Sequence, residues 1–510
     1  MTTNIELADG FIRLTPDFPD ELKNELRYYH RELVQQGYKR VSTGQYRDLY
    51  SIQQSINNAT NTAYRHLITL PGFASRLKNW FTKRNLPYTI VDKRTPMPQV
   101  DVVKAMEGLY DYQYEPVYKL LMSGGGIAAC PTGFGKTHLM GGICKGYSHQ
   151  SLCERDTPII AVCAPDRDIV EKNYEDLCNI LPDRDIGLCM SGRKKIMVED
   201  IMVITTDSLH LLDTESVGVL ISDEVHASVS TKRADTIMSF TKAARFGFSA
   251  TPTGRFDGRD VVTEGMFGPA VFTCSYADGV KLGALVPIRV FWINVPIEDM
   301  RLQLLGKISQ RGACYRRGVY DNPDMQELVR KLMTESPESM QTLCILQHIE
   351  QMDKLLNVCK DIPYVHACTD ASKLTKRTNV EPINNKQRKS IYNQVKEGEI
   401  RKILSTWIYK QGVNFPELSL ILNAGGGGSD IAARQIPGRE SRAIEGKHES
   451  YLIDFWHPWD VRVDKDGKKK PGHILRDDKS REKAYTDLGF DQQWIDSVDE
   501  LPWMNNDVNG

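Results

Sequence analysis

The sequence predicts an α/β chain: two tandem lobes, each a parallel sheet with crossover helices, behind a small N-terminal α+β unit. Three observations carry this prediction. Short apolar runs alternate with helix-compatible stretches from about Asp101 to Pro287, a second such series follows to Asp454, and the first hundred residues lack that alternation. Alternation of this kind implies parallel strands joined by crossover helices. A length of 510 residues also exceeds an ordinary single domain and fits about three.

Taken in order, residues 1–100 form an accessory unit, read as a possible DNA-binding domain. Leu22, Leu26, Tyr29 and Leu33 recur at helical spacing. A second helix, from about Gly72 to Asn85, presents Leu77, Trp80 and Phe81 with Arg76, Lys78, Lys83 and Arg84 between them. That basic, aromatic helix is either a duplex contact or a core helix with a solvated basic face, and the second reading carries slightly more weight. A strand at Tyr88–Asp92 follows, and the proline-bearing stretch Thr95–Val100 is a linker.

The first lobe spans 101–290, with apolar runs GIAAC, PIIAVCAP, IMVITT, VGVLISDE and RFGFSAT. The second spans 291–460, with TLCIL, PYVHA, KILST, LSLILNA and SYLIDF after a helix near Met325–Thr334. Residues 461–510 read as a charged C-terminal extension ending in a helix around Asp491–Val498, and Lys465–Lys470 as a solvated loop.

Composition excludes several classes. At 41% hydrophobic and 26% charged residues the chain is an ordinary folded protein. A net charge of -1 and a pI near 6.8 provide no global basic field, so any nucleic-acid surface is local. The eleven cysteines show neither a CxxC pair nor a histidine at zinc spacing; they read as reduced thiols of a cytosolic protein. The start MTTNIELADG lacks a signal-peptide pattern and no apolar run is long enough to span a bilayer. The expected location is therefore the cytoplasm of a bacterium or a phage-infected host, with no membrane partner.

The chemistry-bearing residues begin at Cys130-Pro131-Thr132-Gly133-Phe134-Gly135-Lys136-Thr137, directly after the apolar run GIAAC and before a helix-compatible stretch that opens with His138. Backbone N–H groups of such a turn and helix N-terminus wrap phosphate oxygens, a lysine reaches the β and γ phosphates, and a threonine hydroxyl can ligate Mg²⁺. Cys130 stands where the general pattern has glycine. Further on, VGVLISDEVH places Asp223 and Glu224 at the end of an apolar run, where an open α/β sheet presents its ligand crevice. One carboxylate there can hold Mg²⁺ while the next orients an attacking water. The competing reading is a solvated acidic strand end.

Asp223-Glu224-Val225-His226 resembles motif II of the superfamily 2 helicases, and Pro131–Thr137 resembles their motif I. Leu109–Gln113 resembles the glutamine motif that reads adenine, Ala164-Pro165 motif Ia, and Thr205-Thr206-Asp207 the strand-contacting segment before motif II. Ser249-Ala250-Thr251 resembles motif III, Ser405-Thr406 through Gly412-Val413-Asn414 motif V, and Gln435–Arg442 motif VI. The chain departs from the family at Ile436, often arginine, and at Asn414, often aspartate; Asn414 keeps a hydrogen-bonding amide and loses a charge. The resemblance runs from Leu109 to Asp454.

It implies two RecA-like lobes and an enzyme that hydrolyses ATP with Mg²⁺. Lys136, Asp223, Glu224, Gln435, Arg439 and Arg442 are then catalytic, and Gln113 with Pro131–His138 holds the nucleotide. Thr137 and Asp223 hold the metal, while His226, Ser249, Thr251, Gly412 and Asn414 couple hydrolysis to movement. Pro165, Thr205, Thr206 and Thr406 touch the nucleic-acid backbone. Arg439 and Arg442, three residues apart, share one face of a helix and can neutralise charge on the γ phosphate.

The run Ser249–Gly258 is similar to one found in type III restriction subunits, Rad25-like helicases and UvsW-type phage helicases. It favours single-stranded, forked or branched DNA over RNA as the substrate, in replication, recombination or repair. Alternatives are a duplex translocase or restriction-type motor, an RNA helicase, and a non-catalytic nucleic-acid-binding regulator.

Overall fold

Runs such as Val217–Ser222 are buried along their whole length. A strand apolar on both faces can satisfy its backbone and hide its side chains only inside a sheet covered on both sides. In the computed structural model of the chain, the described residues are 2–15, 18–36, 39–57, 62–191, 193–194, 200–250, 257–306, 308, 310–374, 379–406, 415, 417–427, 447–463 and 466–504. By contacts the chain divides into two units, Met1–Pro131 with Gly135–Cys274, and Thr132–Phe134 with Ser275–Gly510.

The first unit opens with β1 (Thr3–Ala8), β2 (Phe11–Thr15), β3 (Arg27–Gln36), β4 (Lys39–Asp48), β5 (Tyr50–Asn57), β6 (Thr62–Thr69) and β7 (Tyr88–Asp92). Five of these form a sheet in the order β5-β6-β2-β1-β7, with β1 and β7 parallel and the other pairs antiparallel; β3 and β4 form a separate hairpin. The helix expected through Leu22–Leu33 is absent. Leu22 and Leu26 lie in a 3-10 turn, Asp20–Leu26, and the chain is extended from Arg27 onward. β-branched and aromatic neighbours paired across the hairpin outweigh the leucine spacing.

The second predicted helix does form, at Ala74–Lys83. Leu77, Trp80 and Phe81 are buried in the core of the sheet with Ile5, Leu7 and Leu14, which supports the core reading of this helix. Its Arg76 pairs with Glu264 of the first lobe, Nε to Oε1 at 3.0 Å. Gly72 fits so closely there that a Cβ would overlap the Glu264 carbonyl.

The first lobe consists of β8 (Gly126–Ala129), β9 (Ile159–Ala164), β10 (Ile186–Met190), β11 (Arg193–Lys194), β12 (Ile201–Thr205), β13 (Val217–Ser222), β14 (Ala244–Ser249) and β15 (Ala270–Thr273). Their order is β11-β10-β12-β9-β13-β14-β8-β15, with every pair parallel except β10 and β11. Parallel pairing brings the carboxyl ends of β8, β9, β12, β13 and β14 to one edge.

The second lobe has β16 (Ile288–Asn294), β17 (Gln341–Leu346), β18 (Tyr364–Val365), β19 (Lys402–Thr406), β20 (Leu418–Asn423) and β21 (Ser450–Trp456); β22 (Val461–Val463) and β23 (Lys469–Pro471) form a hairpin, and β24 (Asp491–Ile495) follows. The main sheet, in the order β18-β19-β17-β20-β21-β16-β24, is parallel throughout.

Two expectations for the tail are corrected. The segment Asp491–Ile495 is a strand, not a helix, and Lys469 and Lys470 lie in the β22–β23 hairpin. The tail is no mere extension: β24 pairs with β16 along Arg289–Ile293, and Ile495, Val498 and Leu501 enter the lobe's core.

The tail's helix, His473–Leu488, contributes a buried ionic cluster. Arg481 grips Asp454 within β21 through Nε and Nη2 at 2.8 and 2.9 Å and reaches Asp478 at 3.0 Å; Tyr485 donates to Asp454 at 2.9 Å. Buried charges of this kind are tolerated only when paired and fully hydrogen-bonded. Every cysteine is free, and only Cys153, Cys178 and Cys368 escape burial. Among the described residues no helix is long and apolar enough to cross a membrane.

Candidate active site

The carboxyl edge of the first lobe gathers residues far apart in sequence. β8 runs into the Pro131–Gly135 loop, and Cys130 N–H donates to the Ser249 carbonyl at 3.1 Å, holding the start of that loop beside the end of β14. Asp223 N–H donates to the Cys163 carbonyl at 2.8 Å, placing the acidic pair beside the end of β9. Burial pushes the Cys130 thiol up to about 12, so it stays a neutral packing group.

The helix Lys136–Gly146 starts at Gly135, whose φ of 86° lies in the left-handed region. Glycine is needed there twice over, since a Cβ would also overlap Nε2 of Gln113. Gln113 is fully buried, and its Oε1 accepts the Tyr110 N–H at 3.1 Å. The glutamine therefore caps its own helix, Asp111–Ser123, while its amide end rests against the loop. Thr137 and His138 occupy the first turn of the helix after the loop, Pro131 is half-buried, and Thr132, Gly133 and Phe134 group by contacts with the second unit.

Lys136 Nζ stands 3.4 Å from Glu224 Oε1. Burial works to lower the Lys136 pKa, but Glu224, Asp223 and Cys130 together raise it, so the ammonium stays charged. Asp223 is shifted upward, by burial first and by neighbouring Glu224 second, with Lys136 and Asn173 pulling the other way. Glu224 itself has a φ of 50°, a left-handed conformation rare outside glycine. Such strain is held where the surroundings over-determine it, and here it turns the side chain out of the strand direction.

One partner of this acidic pair, and one arginine that braces the turn after it, escaped the sequence. Asn173, buried on the helix Arg167–Ile180, donates Nδ2 to Asp223 Oδ2 at 3.1 Å, while Asp223 Oδ1 accepts the Glu224 N–H at 2.9 Å. Arg233, on the helix Thr231–Met238, binds both oxygens of Asp207 at 2.8 Å and donates to the Ala227 carbonyl at 3.1 Å. It ties the Thr205–Asp207 segment to the turn after Glu224. Neither residue belongs to a short motif; only helix periodicity facing the sheet could have flagged Asn173.

His226 Nδ1 lies 3.0 Å from Ser249 Oγ, both buried, linking the acidic turn to the end of β14. It is also 3.3 Å from Glu224 Oε2, an oxygen left buried without a hydrogen bond. That unsatisfied acceptor, the lysine beside it and the hydroxyl of Thr137 at the helix start form a donor and acceptor set that suits a magnesium nucleotide and a water. Thr137 and Asp223 would hold the metal.

Pro165 follows β9 and is half-buried, as is Thr406 at the end of β19. Thr205 gives its hydroxyl to Ser208 at 2.7 Å, and Thr206 is fully enclosed. Both threonines are buried, and of this segment Asp207 is exposed. Thr251, Gly412, Asn414, Gln435, Arg439 and Arg442 lie outside the described residues.

Comparison with known proteins adds three findings. Residues 107–254 match the family model "Type III restriction enzyme, res subunit", and residues 324–443 match "Helicase conserved C-terminal domain". The DNA 3'-5' translocase XPB2 of Sulfurisphaera tokodaii is 26% identical over 381 residues, covering 69% of this chain and 82% of that protein. Among solved structures, the DUF1998 helicase MrfA bound to DNA is 16% identical with a TM-score of 0.51, over 79% of this chain and 56% of that one. A single-residue variant of S. cerevisiae Dbp5 bound to RNA and ADP BeF3 is 14% identical with a TM-score of 0.50, over 78% and 96%. At such identities both likenesses speak for the fold alone.

Proposed function

From the premise that this chain is an ATP-dependent enzyme of helicase superfamily 2, we propose that it is a DNA translocase that opens or remodels forked and branched DNA. The observation that carries the catalytic half is the Lys136–Glu224 contact, with the unsatisfied Glu224 Oε2 and the Asn173-held Asp223 beside it. Bound ATP with Mg²⁺ supplies a γ-phosphoryl group whose transfer to water releases the free energy for movement.

The chain's own residues divide the work. Lys136 provides the cation at the loop and Gly135 the close backbone approach. Thr137 and Asp223 orient the metal. Glu224 positions the attacking water and takes its proton; the buried Oε2 without a hydrogen-bond partner supports this reading. Through His226 and Ser249, a change at Glu224 is passed to the end of β14. Gln113 is the residue assigned to adenine, and Arg439 and Arg442 to charge developing on the γ phosphate.

DNA is favoured because the run Ser249–Gly258 is similar to that of DNA-acting members and because the XPB2 relative is a DNA translocase by name. The match to a restriction-subunit model keeps one further reading in view, translocation on duplex DNA without strand separation. ATPase turnover measured side by side with single-stranded DNA, duplex, fork, four-way junction and RNA tests both. Stimulation greatest on forks and junctions, with strand displacement, is expected. Stimulation by intact duplex with triplex displacement and no unwinding selects the second reading, and stimulation by RNA alone overturns both.

A further inference from the structure

Arg245 is the second residue of β14, at the end of the strand opposite Ser249, and so lies away from the nucleotide edge. It is 7% exposed. Its Nη1 donates to the Met266 carbonyl at 3.1 Å and meets the Met238 sulfur at 2.9 Å. No carboxylate lies within ion-pair distance among the described residues, and its Nε and Nη2 have no protein partner there. Burial pulls its pKa down to about 10, with Asp9 acting the other way from a distance, so the guanidinium remains charged near neutral pH. A buried cation without a counter-charge is costly to keep.

Arg245 lines a cavity of about 430 Å³ at the seam between the N-terminal sheet and the first lobe. That volume falls within the range of small-molecule sites. The two acids in its wall are already engaged. Asp9 accepts the Thr95 N–H at 2.9 Å and the Thr95 hydroxyl, and Asp92 takes both arms of Arg94 at 2.9 and 2.6 Å. Lys242 is paired with Glu215. Gly10, Gly124 and Gly125 keep the remaining wall low. Of the cationic side chains in the wall, Arg94 is paired with Asp92 and Lys242 with Glu215, while Arg245 has no carboxylate partner among the described residues.

We propose that this cavity binds a small molecule carrying a phosphate or carboxylate group, held by the free edge of Arg245 and bridging the N-terminal sheet to the first lobe. A planar guanidinium fork suits either oxyanion. Occupancy would fasten the seam that the Arg76–Glu264 pair already bridges.

The test uses the full chain with Lys136→Ala, which removes the competing phosphate loop. Inorganic phosphate, citrate and ribose 5-phosphate are titrated at constant ionic strength, with ribose and a short DNA duplex as controls, and thermal unfolding is followed. A saturable rise in the midpoint is expected, roughly 3 °C at ten times Kd. It should vanish with Arg245→Gln and shrink several-fold with Arg245→Lys, which keeps the charge and loses the fork. Met97→Trp, from an exposed wall residue, should exclude ribose 5-phosphate while sparing inorganic phosphate, and it leaves the buried cation untouched. An equal rise in Arg245→Lys and its parent, no rise with any anion at millimolar concentration, or a rise with the duplex alone overturns the proposal.

Discussion

Replacing Asn173 by aspartate changes one NH₂ to oxygen and almost nothing in shape. In the native chain that NH₂ donates to Asp223 Oδ2 across 3.1 Å in a buried setting. The substitution removes a hydrogen bond to a carboxylate, worth about 1.5–3 kcal/mol. It also sets two carboxylates at the same separation, a repulsion of about 5 kcal/mol at an effective dielectric of about 20. The pair escapes by sharing a proton, so its folded pKa rises well above the unfolded value. An acid raised on folding costs stability as pH climbs between the unfolded and folded pKa values and gives it back on acidification. Asn173→Asp should therefore lose stability relative to the parent at pH 8 and recover much of it towards pH 5, read as the unfolding midpoint against pH. A shared proton also takes one Asp223 oxygen from the metal, so the Mg²⁺ concentration for half-maximal ATPase should rise by about tenfold or more. A variant with parental Mg²⁺ dependence and a parental midpoint at every pH would refute the idea that Asn173 orients Asp223.

Glu224→Gln should bind nucleotide with near-parental affinity while turnover falls by at least about 100-fold, measured by nucleotide titration beside steady-state ATPase. Ser249→Ala cuts the His226 contact without adding charge; ATPase should persist within a few-fold while strand displacement per ATP falls, and loss of both together would mean the contact only supports the fold. Arg481→Met strands Asp454 and Asp478 in the core of the second lobe and should cost about 3–5 kcal/mol in denaturant unfolding. Lys136→Ala should abolish DNA-stimulated ATPase while the chain still folds, with the unfolding midpoint falling more at pH 8 than at pH 6, because the acidic pair that loses the ammonium must take up a proton in its place.

The parallel lobes and the edge that carries the candidate site were legible for reasons that lie within short stretches of chain. An all-apolar run of strand length such as Val217–Ser222 must be covered on both faces, and alternation with helices then requires parallel crossovers. Residues that end such runs, Cys130, Pro165, Thr205, Asp223 and Ser249, must meet at one edge because parallel strands all finish on the same side. Glycine at 135 follows from a turn that a Cβ would obstruct.

Contacts between distant segments were decided only by the tertiary structure. Asn173 and Asp223 stand on different elements, and no local spacing brings an amide on a helix face to a carboxylate at a strand end. The leucines at 22 and 26 suggested a long helix, and DQQWI suggested the end of one. Cross-strand pairing made the residues from Arg27 onward a hairpin, and an open edge at β16 drew Asp491–Ile495 into the second sheet. Periodicity fixes an element when burying one face contributes most to its stability; where a free sheet edge or a neighbouring segment offers more, the partner chosen in three dimensions prevails over the pattern.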